Sequence, residues 1–174
     1  ASFYEAAELR RIRLEEELQV ARQVQAGLLP GKLPDIPGFD LACAWHPARE
    51  VSGDFYDVFP LDEDRWGIVI GDVVDKGTAA ALYMAMVHSL ILSGALRHRD
   101  PAAVLLEVNQ TIFKQSLSSM FVTVFLAVLD LKEHSLVYAS AGHDSPILRR
   151  ANGELGELTR TGAAMGMMNG LQWE

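Results

Sequence analysis

Cys43 is the only cysteine in the chain, so an internal disulfide and a cysteine-rich zinc site are both excluded. A reducing, cytoplasmic setting is the expectation. Bases are scarce, 15 Lys and Arg against 23 Asp and Glu, for a formal net charge of −8. No basic face is visible of the kind a nucleic-acid module presents to phosphates, so nucleic acid is not an expected partner. The acidity fits a metal site and plain solubility equally well. Repeats and low-complexity tracts are missing, and apolar residues make up 49% of the chain, which excludes a mostly disordered protein. No signal-peptide pattern opens the sequence. One run lacks charge altogether, Thr78 to Leu96 (TAAALYMAMVHSLILSGAL). Its length approaches the roughly 20 residues of a membrane span. It contains His88, Ser89, Ser93 and Gly94 and lies between amphipathic strands. A buried core helix is expected there, and no membrane association.

What is present has a clear order. The 174 residues suffice for one domain with a proper core and a short appendage. Residues 1–29 read as one helix, with Leu14, Leu18, Ala21, Gln25 and Leu28 on one face. Mixed charges cover the other faces, as in a solvated or coiled-coil helix. The helix stops at LLPGKLPDIPG, where three prolines and two glycines break it. Residues 1–29 are therefore divided off as a linker or dimerisation arm, and residues 30–174 as the globular body. The alternative is a first helix packed on its own domain.

Within the body, FDLACAW reads as a strand, and GDFYDVFPL and RWGIVIGDVV as a hairpin about the acidic turn DEDR. Two helices follow, Thr78 to Leu96 and Pro101 to Gln115, the second with Asp100 as N-cap and Pro101 in its first turn. MFVTVFLAVLD and HSLVYASAG form another hairpin, and PILRR and GELGELT flank the tight turn ANG. Strands and helices come in runs rather than alternating, which predicts an α+β fold with a largely antiparallel sheet.

Between Glu50 and Asp75 there are eight acidic residues and one base, Arg65. Asp54 opens one strand and Asp72 closes the next, each directly after a glycine. Antiparallel pairing through DEDR would bring both to the same sheet edge. Two close carboxylates repel, and one protonates unless a cation sits between them. Hard oxygen donors of this kind suit Mg²⁺ or Mn²⁺. The competing reading is a pair of turn and capping aspartates. Asp57, three residues beyond Asp54, points to the opposite face and reads as structural. Asp75 reads as a cap for the following helix. Lys76 and Gly77 join strand to helix, where a lysine and free N–H groups attract phosphate. The Gly-Lys-Ser/Thr pattern of a P-loop is absent.

Taken together, ARQVQAGLLP, PAREVSGDFYDVF, IGDVVDKGTAAALYMA, FVTVFLAVLD and YASAGHDSPILRR resemble the SpoIIE/RsbU-type bacterial branch of the metal-dependent (PPM) serine/threonine protein phosphatases. The resemblance runs from about Ala21 to the last residues. It implies a sandwich of two antiparallel sheets flanked by helices, with a two-ion Mg²⁺ or Mn²⁺ site at one edge. Asp72 falls on the ligand that bridges the ions, Val73 on a backbone-carbonyl ligand, and Asp54 on the acidic residue of the first metal motif. His143, in AGHDSP, matches a hallmark at a strand end; it orients a ligand, protonates a leaving alkoxide, or simply structures the turn with Pro146. Implied substrates are phosphoserine or phosphothreonine proteins, typically STAS-type anti-sigma-factor antagonists in partner-switching control.

Three departures stand out. Ser52-Gly53 replaces the usual Gly-Gly doublet, and Asp75 stands where the family often has a small residue. No aspartate follows Asp144, so the Thr-Asp-Gly-type motif and the further aspartate that complete the two-ion site are missing, along with the C-terminal strands. A chain cut short of these motifs and a naturally degenerate phosphatase both explain this. Either way, poor or partial metal occupancy and little hydrolysis are expected of these residues. The alternative to an enzyme is a catalytically silent regulatory module, with residues 1–29 mediating homodimerisation or coupling to an upstream sensor.

Overall fold

The computed structural model describes residues 3–47, 50–115 and 120–173. Residues 1 and 2 of the expected helix and Glu174 lie outside them. The helix forms as α1, Phe3–Leu28. Arg11 pairs with Glu8 and Glu15 on its exposed side, at 2.7 and 2.6 Å. The predicted apolar face meets the body only toward its C-terminal end. Leu14 is exposed, Leu18, Ala21 and Leu28 are half-buried, and Gln25 is buried. Leu29, just past the helix, is buried in the core.

The body is built on one four-stranded antiparallel sheet in the order β1-β2-β3-β4. The strands are β1 Asp54–Pro60, β2 Arg65–Val73, β3 Val122–Asp130 and β4 Ser135–Ala141. Both predicted hairpins are present. In the β1–β2 turn the Asp62 carboxylate accepts from the Asp64 and Arg65 backbone N–H groups and pairs with the Arg65 side chain. Two glycines set the register on the core face. Gly71 lies opposite Phe55, and Gly67 opposite Phe59. Each ring lies over its glycine; a Cβ on Gly71 would come within 2.5 Å of the Phe55 ring. A second, two-stranded antiparallel sheet pairs β5, Ile147–Arg149, with β6, Leu155–Glu157. Gly153, at φ 88°, closes its turn in the left-handed region that glycine favours.

Helices α2, Thr78–Ala95, and α3, Pro101–Lys114, pack on the four-stranded sheet. Asp100 caps α3, accepting from Ala102 N–H at 3.0 Å. By length and composition alone α2 could cross a membrane, with 18 residues at mean hydropathy 1.4. Instead Ala80, Met84, Val87 and Ile91 enter the common core with Phe55, Val69, Leu126 and Ala139. The chain is thus α+β, with antiparallel sheets and flanking helices.

One expected strand does not form. Ile36 and Phe39 close a single bridge, and FDLACAW then runs without a ladder. Its composition suits a strand, but among the described residues it forms no ladder with β1 or β4, the two edge strands of the main sheet.

Candidate metal centre

The β1–β2 hairpin places Asp54 directly opposite Asp72. The glycine before Asp54 has a specific reason to be there: a Cβ on Gly53 would sit 2.8 Å from the Val73 carbonyl oxygen. The Val73 carbonyl and the turn into β1 are therefore in close contact beside the carboxylates. Asp72 has its pKa raised to about 6, chiefly by burial, then by a hydrogen bond to Asp54 and by the negative charges of Asp54 and Asp144. Both aspartates keep solvent access. Ser52 adds a further constraint, with its hydroxyl donating to Asp54 Oδ2 at 3.0 Å and accepting from the Asp54 N–H at 3.1 Å.

The turn after β2 completes one side of the site. Asp75, Lys76, Val51, Ser52, Asp54 and Asp72 line a cavity of about 240 Å³. The expectation that Asp75 caps α2 is corrected here. The N-cap is Gly77, without a side-chain cap bond. Asp75 takes a left-handed φ of 85°, and its carboxylate accepts from the Lys76 N–H at 2.7 Å. Its carboxylate serves the turn before Gly77 and leaves Asp75 on the wall shared with Asp54 and Asp72.

A second cavity of about 620 Å³ opens from the same carboxylates along the exposed sheet face, past Tyr56, Ile70, Trp45 and His143. His143 Nδ1 lies 2.9 Å from the Thr123 hydroxyl, and Thr123 is opposite Asp72 across β2 and β3. Burial holds the His143 pKa below its ordinary value, against the opposing pull of Asp144. Arg160 donates to the His143 carbonyl and to Asp144, both at 3.0 Å. Asp57, by contrast, turns to the helix side and meets His88 on α2.

The structure therefore gathers Asp54, Asp72 and Lys76 around one cavity, sets the Val73 carbonyl against Gly53 beside it and Gly77 at the adjoining start of α2, and brings His143 to the same strand ends. Sequence reasoning missed the parts played by Gln25, Ser52, Thr123 and Asp144. In the sequence Ser52 stands out only as a departure from Gly-Gly, and Asp144 only as the last aspartate in the chain.

Two carboxylates at this spacing share a proton or hold a cation. Among the described residues no three His, Cys, Asp or Glu side chains gather as a ligand cluster. The donors still fit a hard divalent ion. Mg²⁺ is commonly held by one or two carboxylates, with water and substrate phosphate in the remaining positions.

Over residues 62–174 the chain matches the family described as Stage II sporulation protein E (SpoIIE). Protein IcfG of Synechocystis sp. is 35% identical over 179 aligned residues, covering 87% of this chain and 28% of that protein. The phosphoserine phosphatase RsbU of Bacillus subtilis is 35% identical over 131 residues, covering 75% of this chain and 39% of that protein. The chain thus spans well under half the length of these curated relatives. Among solved structures, the SiaA-PP2C domain of Pseudomonas aeruginosa aligns with a TM-score of 0.74 at 25% identity, covering 92% of this chain and 65% of that one.

Proposed function

The chain belongs to the SpoIIE family, and from that premise we propose that it is catalytic-domain material of a metal-dependent protein phosphatase acting on phosphoserine or phosphothreonine. The observation that carries the reading is the Asp54–Asp72 pair, two solvent-reachable carboxylates held opposite each other with Asp72 raised to about 6. A carboxylate so close to a second one is poised to exchange a proton for a cation.

Asp72 and Asp54 would hold Mn²⁺ or Mg²⁺, with the Val73 carbonyl as a further donor. Such ions, when bound in a pair, supply hydroxide at neutral pH and neutralise charge on the phosphoryl oxygens. Lys76 and the N-terminal N–H groups of α2 at Gly77 would meet the charge of the phosphate. His143, fixed through Nδ1 by Thr123, would orient a ligand or pass a proton to the leaving alkoxide. The proposed substrate is a small phosphoprotein of the STAS type, in a cytoplasmic partner-switching pathway. Residues 1–29 would serve as an arm for homodimerisation or sensor coupling, with residues 30–174 as the phosphatase body. A full two-ion site would need the Thr-Asp-Gly-type segment that these residues do not contain, so partial occupancy and weak turnover are proposed for this chain alone.

A second reading, a catalytically silent regulatory module, is favoured by one observation: no cluster of three ligating side chains exists among the described residues. The separating experiment is phosphate release from a phosphoserine STAS protein, with Mn²⁺ and with EDTA, by a chain extended through a Thr-Asp-Gly-type motif. Release that requires Mn²⁺ supports the phosphatase. No release with either would leave the silent module.

A further inference from the structure

Gln25 is buried to 4% exposure although it belongs to an otherwise solvated helix. Its carboxamide makes two bonds to a single distant residue. Nε2 donates to the Ser52 carbonyl at 2.7 Å, and Oε1 accepts from the Ser52 N–H at 2.9 Å. Both main-chain groups of Ser52 are thereby satisfied by one side chain, as a neighbouring strand would satisfy them. Ser52 is itself buried, at 8% exposure. Its hydroxyl grips Asp54 twice, at the carboxylate (3.0 Å) and at the backbone N–H (3.1 Å). The three residues form a continuous relay from α1 to a carboxylate of the candidate metal centre.

Anchoring α1 to the body does not require this arrangement. Leu29 already enters the core beside Gln25, and Gln19 and Arg22 reach Glu50 on the same loop at 3.0 and 3.4 Å. An apolar residue at position 25 would bury its side chain without the desolvation cost that a carboxamide offsets only by finding partners. What the carboxamide adds is fixed orientation. It locks the Ser52 peptide, the peptide aims the hydroxyl, and the hydroxyl removes rotational freedom from the Asp54 carboxylate. Outer-shell partners of this kind typically change metal affinity by about 10- to 100-fold when removed.

We infer that Gln25 is a positioning residue for Asp54, acting through Ser52, so that the last turn of α1 is part of the metal centre's supporting structure. The consequence for metal binding rests on the phosphatase reading above; the consequence for Asp54 itself does not.

The test uses the whole chain and two readouts. Without metal, NMR three-bond couplings report the Asp54 χ1 rotamer. A single rotamer is expected in the native protein, and rotamer averaging in Ser52→Ala and Gln25→Leu. Ser52→Thr, which keeps the hydroxyl, should restore the single rotamer. If either Gln25→Leu or Ser52→Ala leaves the rotamer unchanged while thermal unfolding shows the protein intact, the inference is overturned. In the second readout, free Mn²⁺ is counted by electron paramagnetic resonance. Ser52→Ala should weaken binding about 10-fold or more, and Ser52→Thr should not. Asp72→Asn serves as the control for the underlying reading. If it binds Mn²⁺ like the native chain, the metal-centre assignment fails. If it abolishes binding while Ser52→Ala and Gln25→Leu stay within twofold of native, the relay alone fails.

Discussion

Asp57 on β1 and His88 on α2 meet at 2.8 Å, with their side chains 13% and 4% exposed. The His88 ring also lies edge-on to Phe55, with centroids 5.8 Å apart. Asp54 and Asp57 are three residues apart on one strand, so pleat alternation sends them to opposite faces. One carboxylate serves the cavity edge, and the other ties the strand to a helix. Truncating Asp57 takes this partner from the buried His88 ring, and truncating His88 takes it from Asp57 Oδ2 while Oδ1 keeps the Val58 N–H, each at a cost of about 1–3 kcal/mol. Asp57→Ala and His88→Ala should each lower the denaturant midpoint by a corresponding amount, with Mn²⁺ binding unchanged at temperatures where the protein is folded. A selective loss of Mn²⁺ binding without loss of stability would contradict this division of roles.

Asp72→Asn removes the charge on which the proposed centre depends while keeping the side chain's shape. In a chain competent for phosphate release, activity should fall by at least about 10³-fold, equivalent to roughly 4 kcal/mol of transition-state stabilisation. Metal-free stability should rise slightly, because the repulsion with Asp54 disappears. Native turnover in this variant would remove Asp72 from the mechanism.

The raised Asp72 pKa has a definite sign in a stability profile. The group titrates near 3.8 when unfolded and at about 6 when folded. Between these values the folded state holds a proton that the unfolded state has released. Stability therefore falls as pH rises through this window and levels off above it. Metal and proton compete for the same oxygens, so Mn²⁺ should reverse the trend and lose affinity below about pH 6. Melting temperatures at pH 5 and 7.5, in EDTA and in Mn²⁺, measure this. The difference between the native chain and Asp72→Asn isolates the contribution from the opposing effect of His143, whose lowered pKa disfavours the folded state in acid. An identical pH profile in the two proteins would count against the raised Asp72 pKa.

Gly71→Ala tests the seat of Phe55. The added methyl would lie 2.5 Å from the ring and 3.0 Å from the Thr123 carbonyl oxygen. Overpacking of this kind costs about 1–3 kcal/mol. Because Asp72 is the next residue, Mn²⁺ binding should weaken along with stability. A variant as stable as the native protein would show that the ring has room to move.

The meeting of Asp54 and Asp72 was legible in the sequence because two glycine-flanked apolar runs joined by a four-residue acidic turn leave few registers. The same locality made the Asp100 cap and the Gly153 turn readable. Asp75 was misread because the choice between a capping geometry and a left-handed turn depends on how the chain leaves β2, not on residue type. FDLACAW was misread because strand composition alone does not bring a segment into ladder register with an edge strand; here Cys43 reaches β1 by its side chain, donating to the Tyr56 hydroxyl at 3.2 Å. Helical periodicity puts Gln25 on one face with Leu14, Leu18, Ala21 and Leu28, but its partner lies 27 residues away and no local pattern encodes that contact. The sequence resemblance indicated the site's chemistry; only the three-dimensional structure shows its supporting bonds.

The β1–β2 turn sets the geometry at the far end of its hairpin. The register runs unbroken from Pro60 opposite Trp66, beside the turn, to Asp54 opposite Asp72 at the far end. Six residue steps separate them, roughly 20 Å of strand. A one-residue slip would set Asp54 against Gly71 or Val73 and turn its side chain to the other face. The loop from Leu61 to Asp64 therefore acts as a vernier for a site it never touches. One residue inserted there should abolish Mn²⁺ binding in a chain that still folds, whereas substitutions at Glu63 should leave binding intact; native binding by the insertion variant would show that the strand can re-register. Surface turns ordinarily tolerate insertions and deletions, but in this hairpin the length of the turn, rather than the identity of its residues, decides whether the two carboxylates meet.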